Sequence, residues 1–324
     1  MKVFVTGCTG FIGLHLCRAL FQRGHDVVGL VRTPSKIPAD LKDKLTVVPG
    51  DLSVFTDPSF VMPEVDVVIH LAAVIAGKND QEYATINYNA VEDMLACLQR
   101  QDWQPKRFVF ASSLAAAGPS PESRALTEAD EPKPIDPYGG AKKKAESLMR
   151  EQPFATTSFR PPIVLGPGDA AFFTLFKMVK SGLVVVPSGQ PQRLSFVYVH
   201  DLVQAICILV EDTSEKHRLY YTTHEQVVTN EQLLLAIAEA MNKKVRVLRL
   251  PRWVLWLAMK FMTGVSKVLP IRNQLDHKQY KQMTAPAFVC TSQKLTEEMG
   301  WKAETDLPEL MEQTVRGYQD LGWL

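Results

Sequence analysis

Three glycines follow a short apolar run at the start of the chain, at positions 7, 10 and 13. The run, Lys2 to Thr6, is rich in β-branched and aromatic residues, which is typical of a buried strand. Leu14 to Arg23 then carries apolar side chains at helical spacing. A tight turn between strand and helix presents backbone N–H groups to an anion. In such a turn Gly7 would make the bend, Gly10 would leave room for phosphate and Gly13 would let the helix pack closely on the strand. The pattern predicts a dinucleotide-binding unit, the alternative being a glycine-rich turn without a ligand.

The residues after the second predicted strand, Asp26 to Val31, bear on the choice of dinucleotide. An acidic residue at this place binds the ribose hydroxyls of NAD, whereas a cation accommodates the extra phosphate of NADP. Here the strand is followed by Arg32, with Lys36 close behind, and Asp26 lies at the opposite end of the strand. The sequence therefore favours NADP over NAD. The alternative is that Arg32 is a solvated surface charge.

Two further strands predict where the cofactor lies. Leu45 to Pro49 is followed by Asp51-Leu52, where a polar side chain would approach the adenine ring. Val65 to Leu71 is almost entirely apolar, as strands covered by helices on both faces are. It leads into Ala72 and Ala73, which are small enough for a cofactor to lie against the backbone. His70, at the end of this strand, is expected to be a packed core histidine, with a catalytic base as the less favoured alternative.

Polar side chains on the next elements are the candidates for chemistry. A helix is predicted over Gln81 to Gln99, where Asn87 either braces the active site or is an exposed amide. A fifth strand, Arg107 to Ala111, ends at Ser112 and Ser113, and open α/β sheets keep their chemistry at this end of the strands.

Tyr138 and Lys142 lie four residues apart in a helix that Pro137 is expected to open. That spacing places both side chains on one helix face. A neighbouring ammonium favours the phenolate, so the pair is expected to lower the tyrosine pKa from its usual value near 10. A serine hydroxyl would share the substrate oxygen with the tyrosine.

Length and composition limit the class of protein, the kind of ligand and the compartment that can be expected. The chain has 324 residues, of which 46% are apolar and 22% charged, which is ordinary for a soluble globular protein. A net charge of +1 produces no extended positive potential that would attract nucleic acid, so a small-molecule ligand is expected. Five scattered cysteines lack metal-ligand spacing and are expected to be free core thiols, with no metal site. Because Met1 leads directly into the first strand, we expect no signal peptide and a cytoplasmic protein.

These motifs together resemble the extended short-chain dehydrogenase/reductase family. The resemblance is carried by the three-glycine turn, Asp51-Leu52, His70-Leu-Ala-Ala73, Ser112-Ser113, Tyr138-Gly-Gly-Ala-Lys142, Arg160-Pro161 and Val199-His200-Asp201-Leu202, all in the family's order. It implies an α/β fold, a Rossmann doubly wound parallel sheet with a smaller, interleaved C-terminal substrate domain. It also implies that Tyr138 is the proton donor or acceptor, that Lys142 lowers its pKa and holds the nicotinamide ribose, and that Ser113, rather than Ser112, orients the substrate oxygen.

The predicted cofactor contacts follow from the same motifs. They are Gly7, Thr9, Gly10, Phe11, Ile12, Gly13, Arg32, Lys36, Asp51, Leu52, Leu71, Ala72, Ala73, Asn87, Tyr138, Lys142, Pro161 and Ile163.

The resemblance also predicts the domain organisation. Residues 1–165, with a return segment at about 193–222, form the nucleotide-binding domain, and residues 166–192 and 223–324 form the substrate-binding part. A sixth strand is predicted over Phe154 to Phe159, and Leu219 to Thr222 returns to the sheet. Phe172 to Val179 is predicted to be an apolar helix that borders the substrate in relatives. Arg193 resembles an arginine that some sugar-nucleotide enzymes place on phosphate, or else is a surface charge.

One apolar stretch, Trp253 to Leu269, stands out in the C-terminal part. It is shorter than the roughly 20 apolar residues that a membrane span needs, and Lys260, Gly264 and Lys267 interrupt it. We expect a core helix or the wall of an apolar pocket, with a peripheral membrane contact as the alternative.

Three functions are compatible with this sequence. The favoured one is NADP-dependent reduction of a carbonyl, or oxidation of a secondary alcohol, on a small apolar substrate, as in the dihydroflavonol-reductase and hydroxysteroid-dehydrogenase branches. The alternative is an NAD-dependent nucleotide-sugar epimerase or dehydratase, although Leu114 to Ala117 stands where dehydratases have an Asp-Glu pair. The third is a catalytically silent NADPH sensor or scaffold, which would be expected to lack the tyrosine or the lysine.

Two features have no single interpretation from the sequence. Gly139 and Gly140 interrupt the Tyr-to-Lys turn, where they admit either close packing or a bulky substrate. Many relatives also form homodimers through the two helices that here are predicted over Gln81 to Gln99 and Tyr138 to Glu151.

Overall fold

The computed structural model describes residues 1–257, 259–260 and 279–324. The strands, in chain order, are β1 Lys2–Thr6, β2 Asp26–Val31, β3 Thr46–Pro49, β4 Val67–His70, β5 Arg107–Ala111, β6 Ala155–Arg160, β7 Ile163–Leu165, β8 Leu183–Pro187, β9 Arg193–Leu194, β10 Phe196–Tyr198, β11 Arg218–Tyr221, β12 Val228–Thr229, β13 Arg246–Leu250 and β14 Ala287–Phe288.

The α-helices are α1 Phe11–Gln22, α2 Ala39–Lys42, α3 Asp80–Ala84, α4 Ala90–Gln99, α5 Leu114–Ala117, α6 Pro137–Met149, α7 Phe173–Lys180, α8 Val199–Glu211, α9 Asn230–Ala240, α10 Gln279–Thr284, α11 Gln293–Met299 and α12 Leu307–Asp320. Residues 252–257 are also helical. Short 3₁₀ helices cover Pro34–Lys36 and Leu52–Thr56, and a π-helical turn, Thr85–Asn89, joins α3 to α4.

Seven parallel strands form the central sheet, in the order β11-β6-β5-β4-β1-β2-β3. The strand order reverses between β1 and β4, which is where doubly wound sheets bind their ligands. The Rossmann fold predicted from the sequence is confirmed, and so is the return of the chain to the sheet, because β11 pairs with β6.

Alternating side chains of the sheet enter two separate hydrophobic cores. Val3 and Val5 of β1 join the core that contains α1 and α8, whereas Phe4 joins the core that contains α4. Successive residues of a strand point to opposite faces, so apolar side chains suit both faces of a strand that has helices on both sides. This explains why β1 and β4 are mostly apolar, although β6, which is also buried at every position, contains Thr156, Thr157 and Ser158.

The C-terminal elements form smaller sheets beside the central one. The pairs are β10 with β7 and β13 with β8, and β9 lies between β12 and β14. Phe176, Leu310 and Tyr318 belong to the same buried cluster as Val3 and Val5, so this part shares a core with one face of the large sheet. The division into domains at residue 165 stays a prediction.

The cysteines are free and buried, as predicted. Within residues 1–257, 259–260 and 279–324, no helix has the length and apolarity to cross a bilayer, and no cluster of His, Cys, Asp or Glu has the makings of a metal site. Of the apolar stretch Trp253 to Leu269, residues 258 and 261–269 lie outside the described residues. Trp253 is 66% exposed and Leu257 50% exposed, so these two side chains are not part of a core.

Candidate active site

The glycine turn joins β1 to α1 with very little space around it. Gly7 has φ +72°, a conformation that favours glycine, and a Cβ on it would lie 2.8 Å from the Ala72 nitrogen. A Cβ on Gly13 would lie 2.1 Å from the Gly7 oxygen, so only glycine permits this contact between turn and helix. Gly10 caps α1 without a side-chain hydrogen bond, and the first turn of α1 contains no acidic residue. The N-terminus of α1 therefore fits an anionic pyrophosphate.

Exposed charges surround the neighbouring strand ends. Arg32 follows β2 directly, and Lys36 ends the 3₁₀ helix that comes next; both are exposed. Asp51 caps the 3₁₀ helix after β3 by accepting hydrogen bonds from the Ser53 nitrogen at 2.9 Å and the Ser53 hydroxyl at 2.6 Å. These hydrogen bonds, helped by the charge of Arg32, lower the pKa of Asp51. The end of β2 thus presents two exposed cations.

Asn87 holds the backbone that follows β4. It is completely buried in the π-helical turn, so the alternative of an exposed amide is wrong. Its side-chain oxygen accepts from the Val74 nitrogen and its side-chain nitrogen donates to the Val74 oxygen, both at 2.9 Å. Asn87 thereby fixes the segment that contains Leu71, Ala72 and Ala73, and its direct contact with a cofactor stays a prediction.

His70 is a core side chain, as the sequence indicates. It is fully buried, lies 3.0 Å from the Thr6 hydroxyl and stacks on Phe110. Burial, with a further contribution from the charge of Lys142, lowers its pKa to about 3. The imidazole is therefore neutral at physiological pH.

Ser113 and Tyr138 face one cavity of about 380 Å³. Ser113 ends the loop after β5 and caps α5 by accepting from the Ala115 nitrogen at 3.1 Å. The side chain of Ser113 acts to lower the pKa of the Tyr138 phenol, so the two hydroxyls are neighbours in the cavity. Ser112, by contrast, is buried and donates to Glu146. Of the two serines only Ser113 lines the cavity, and its role toward a substrate stays a prediction.

The pKa of Tyr138 differs in direction from the sequence expectation. Burial raises it to about 12, outweighing the opposing influence of Ser113. Lys142, whose ammonium donates to the Ala111 oxygen at 2.7 Å, is not among the groups that shift this pKa. Burial also lowers the pKa of Lys142 to about 7, against the opposing charge of Glu146. Depth of burial, which the four-residue spacing does not reveal, decides both shifts.

A buried ionic network lies beneath the Tyr-to-Lys turn. Glu146 accepts from Arg160 at 2.8 and 2.6 Å and from the Ser112 hydroxyl, and Arg160 donates to the Tyr221 hydroxyl at 3.0 Å. Burial lowers the pKa of Arg160, but the hydrogen bond and charge of Glu146 outweigh it and raise the pKa overall. The network joins α6, which carries Tyr138 and Lys142, to the ends of β5, β6 and β11.

The two glycines of the Tyr-to-Lys turn have different surroundings. A Cβ on Gly139 would lie 2.2 Å from the Ala115 oxygen, whereas a Cβ on Gly140 would meet nothing within 4 Å. Asp136 starts the helix by accepting from the Gly139 nitrogen at 2.9 Å. Close packing therefore explains Gly139, and Gly140 faces open space.

The sequence did not identify several residues of this cavity, although it placed Ser113, Tyr138 and Ile163 there. Tyr83 lies with its ring centre 6.2 Å from that of Tyr138, and no motif marks it. The other lining residues are Ile75, Leu114, Ala115, Asp136, Pro137, Pro162, Gln192, Leu194, Ser195, Gln282, Met283 and Phe288. Asp136 has the only ionisable carboxylate among the described lining residues, and no lysine or arginine is among them. Arg193 is exposed and donates to the backbone carbonyl of Glu122 at 2.6 Å, so it is a surface charge here.

The fold and site define an enzyme of the Rossmann class with a nucleotide-binding turn, and the comparison with known families agrees. Residues 3–221 match the NAD-dependent epimerase/dehydratase family, and the chain belongs to it. Its homologues are NAD(P)-dependent dehydrogenases, reductases and epimerases of the extended short-chain type, so the resemblance and the enzyme class predicted from the sequence are confirmed.

Two curated relatives and one solved structure illustrate the range of the family. A ceramide reductase of Caulobacter vibrioides is 25% identical over 99% of this chain and 96% of that protein. A 3β-hydroxysteroid dehydrogenase/Δ5→4-isomerase of Mycobacterium tuberculosis is 28% identical over 81% of this chain and 77% of that protein. The UDP-glucuronic acid 4-epimerase of Bacillus cereus, solved with UDP-glucuronic acid and NAD, has a TM-score of 0.76 and 20% identity, covering 99% of this chain and 100% of that chain.

Proposed function

We propose that this chain is an NADP-dependent oxidoreductase that reduces the carbonyl of a small apolar substrate. The observation that carries the proposal is the cavity, where the Ser113 and Tyr138 hydroxyls lie among mainly apolar side chains. Two of the relatives are named for ceramide and for a hydroxysteroid, both of them lipids, which supports an apolar substrate.

The geometry supports a reductive role for Tyr138. With a pKa of about 12, its phenol holds a proton at neutral pH and donates it to the oxygen of a substrate carbonyl. The Ser113 hydroxyl donates a second hydrogen bond to the same oxygen. The nicotinamide cofactor supplies the hydride that reduces the carbonyl carbon. Oxidation of a secondary alcohol is the same sequence reversed.

The preference for NADP rests on the exposed cations after β2. Arg32 and Lys36 are the residues that would receive the 2′-phosphate, and no carboxylate occupies the first position after the strand. Arg32→Asp is expected to weaken NADPH binding at least about tenfold, because a cation is lost from the 2′-phosphate, and to strengthen NADH binding, because the new carboxylate can bind the ribose hydroxyls. Lys42→Asp, an exposed lysine in α2, is the matched control. Equal affinity of the Arg32→Asp variant for NADPH would contradict this assignment.

Epimerisation of a nucleotide sugar is the second candidate, supported by the epimerase of the same fold. It needs the same tyrosine, with NAD retained in the site. Among the described residues, however, the cavity has no lysine or arginine to bind a second pyrophosphate. A silent sensor or scaffold is disfavoured because Tyr138 and Lys142 are both present.

One set of measurements separates these functions. The nucleotide that copurifies with the chain is identified, and the purified chain is titrated with NADPH and NADH. Tight, copurifying NAD would favour the epimerase, whereas empty chain that prefers NADPH would favour the reductase. Apolar ketones and aldehydes are then screened, and Tyr138→Phe is expected to reduce the rate by about 10²- to 10⁴-fold. Undiminished activity in that variant would overturn the mechanism.

A further inference from the structure

A run of basic residues interrupts the otherwise balanced charge of the chain. Residues 243–260 contain six lysines and arginines and no acidic residue, although the whole chain has a net charge of only +1. All six of these side chains are exposed. Arg249 is paired with Glu231 at 2.5 Å, and the other five have no acidic partner in the described part of the chain. The segment is therefore a local concentration of positive charge.

Large apolar side chains are exposed within the same run. Trp253, Trp256 and Leu257 are 66%, 37% and 50% exposed. Their spacing of three and four residues places them on one face of the helical segment 252–257. The Lys260 ammonium lies 4.1 Å from the centre of the Trp256 ring, so a cation belongs to the same stripe.

The preceding strand, β13, presents the same combination. Arg246 and Leu248 lie two residues apart, hence on one face of the strand, and both are exposed, Leu248 by 44%. Val247, between them, packs on the core from the other face. We define the basic aromatic patch as Arg246, Leu248, Arg252, Trp253, Leu257 and Lys260.

We infer that the basic aromatic patch binds the chain to the surface of an anionic lipid bilayer. Tryptophan has an apolar ring with a polar N–H and concentrates at membrane–water interfaces, while lysine and arginine attract anionic headgroups. Tryptophan and arginine also occur at protein interfaces, so the preference for a bilayer rests on the five cations that have no acidic partner in the described part of the chain. The single sign of the charge complements a phospholipid surface.

A hydrogen bond connects the patch to the active-site cavity. The Tyr280 hydroxyl donates to the Arg252 oxygen at 3.3 Å, and Gln282 and Met283, on the same helix as Tyr280, line the cavity. Attachment through the patch would hold the cavity near the bilayer, where apolar molecules dissolve. The attachment itself does not depend on the proposed reaction.

Vesicle flotation tests the inference without any assay of activity. The full chain is mixed with vesicles of phosphatidylcholine alone or with phosphatidylglycerol added. Binding is expected only to the anionic vesicles, and it should weaken as salt is raised because the charges are exposed. Arg246→Glu with Arg252→Glu should weaken binding at least tenfold, at about fivefold per cation. Trp253→Ser with Leu257→Ser should also weaken it.

Matched variants on other surfaces show whether the patch itself is responsible. Lys42→Glu with Lys44→Glu changes the same number of exposed cations, and Leu321→Ser removes an apolar side chain that is 52% exposed. Both should bind vesicles like the unaltered chain, and circular dichroism checks that every variant is folded. Absence of binding to anionic vesicles, or equal loss in the controls, would overturn the inference. A dimer in light scattering that Trp253→Ser dissociates would also overturn it, in favour of a protein contact.

Discussion

Replacing Glu146 by glutamine should leave a buried arginine without its counter-ion. Arg160 is 1% exposed and Glu146 8% exposed, and two hydrogen bonds join them. The amide group of glutamine keeps one acceptor but turns a donor toward the guanidinium, so at least one of these bonds is lost together with the charge attraction. Breaking a buried pair from one side costs about 3–5 kcal/mol of the free energy of unfolding. For a chain of this length the melting temperature should fall by roughly 4–7 °C.

Urea unfolding, followed by tryptophan fluorescence, measures this loss. The change in the free energy of unfolding is the shift of the urea midpoint multiplied by the m-value, provided that both chains have the same m-value. Glu231→Gln is the matched control, because its partner Arg249 is mostly exposed and such pairs contribute about 0–1 kcal/mol. Replacing both buried partners, with Glu146→Leu and Arg160→Met, should cost less than Glu146→Gln alone, since no uncompensated charge remains. A loss below about 1 kcal/mol for Glu146→Gln would refute the reasoning.

Two further predictions concern the glycines at the start of α6 and the buried histidine at the end of β4. Gly139→Ala should lower the free energy of unfolding and the activity together, because its Cβ would collide with the Ala115 oxygen. The Cβ of Gly140→Ala would meet open space, so this variant should raise the free energy of unfolding by about 1 kcal/mol. Equal effects of the two variants in urea unfolding would contradict this difference. His70 has a pKa of about 3 in the folded chain, against an ordinary value of 6.5. Between these two pH values the unfolded chain binds one proton more than the folded chain. The free energy of unfolding should therefore fall as pH falls, by up to about 1.4 kcal/mol per pH unit. His70→Gln should flatten that dependence in urea unfolding measured from pH 7 downward, and an unchanged slope would count against it.

The sequence was most informative about the central sheet. Strands that are covered on both faces are mostly apolar, so β1 and β4 were recognisable as runs, and the glycine turn marked the end of β1 at which the cofactor is predicted to bind. Helix α6 was equally clear from Pro137. The π-helical turn at Thr85–Asn89 was not predicted, because one wider turn barely disturbs the apolar periodicity of a helix.

The sequence was less informative where residues distant in the chain meet. Tyr221 is 61 residues from Arg160, so their hydrogen bond depends on the pairing of β11 with β6. The contact of Gly139 with Ala115 depends likewise on how α6 packs against α5. The raised pKa of Tyr138 follows from its burial, which spacing along one helix does not specify.

The late arrival of β11 bears on how the chain folds during synthesis. Strand β6 ends at residue 160, but its neighbour begins at Arg218, so nearly sixty residues must be made before that side of β6 is covered. Until then β6 is an uncovered edge whose N–H and C=O groups can pair with another chain. A ribosome that pauses in this interval would hold an aggregation-prone nascent chain. A fragment that stops at residue 165 should be poorly soluble, whereas a fragment that stops after β11 retains both neighbours of β6, which are β5 and β11.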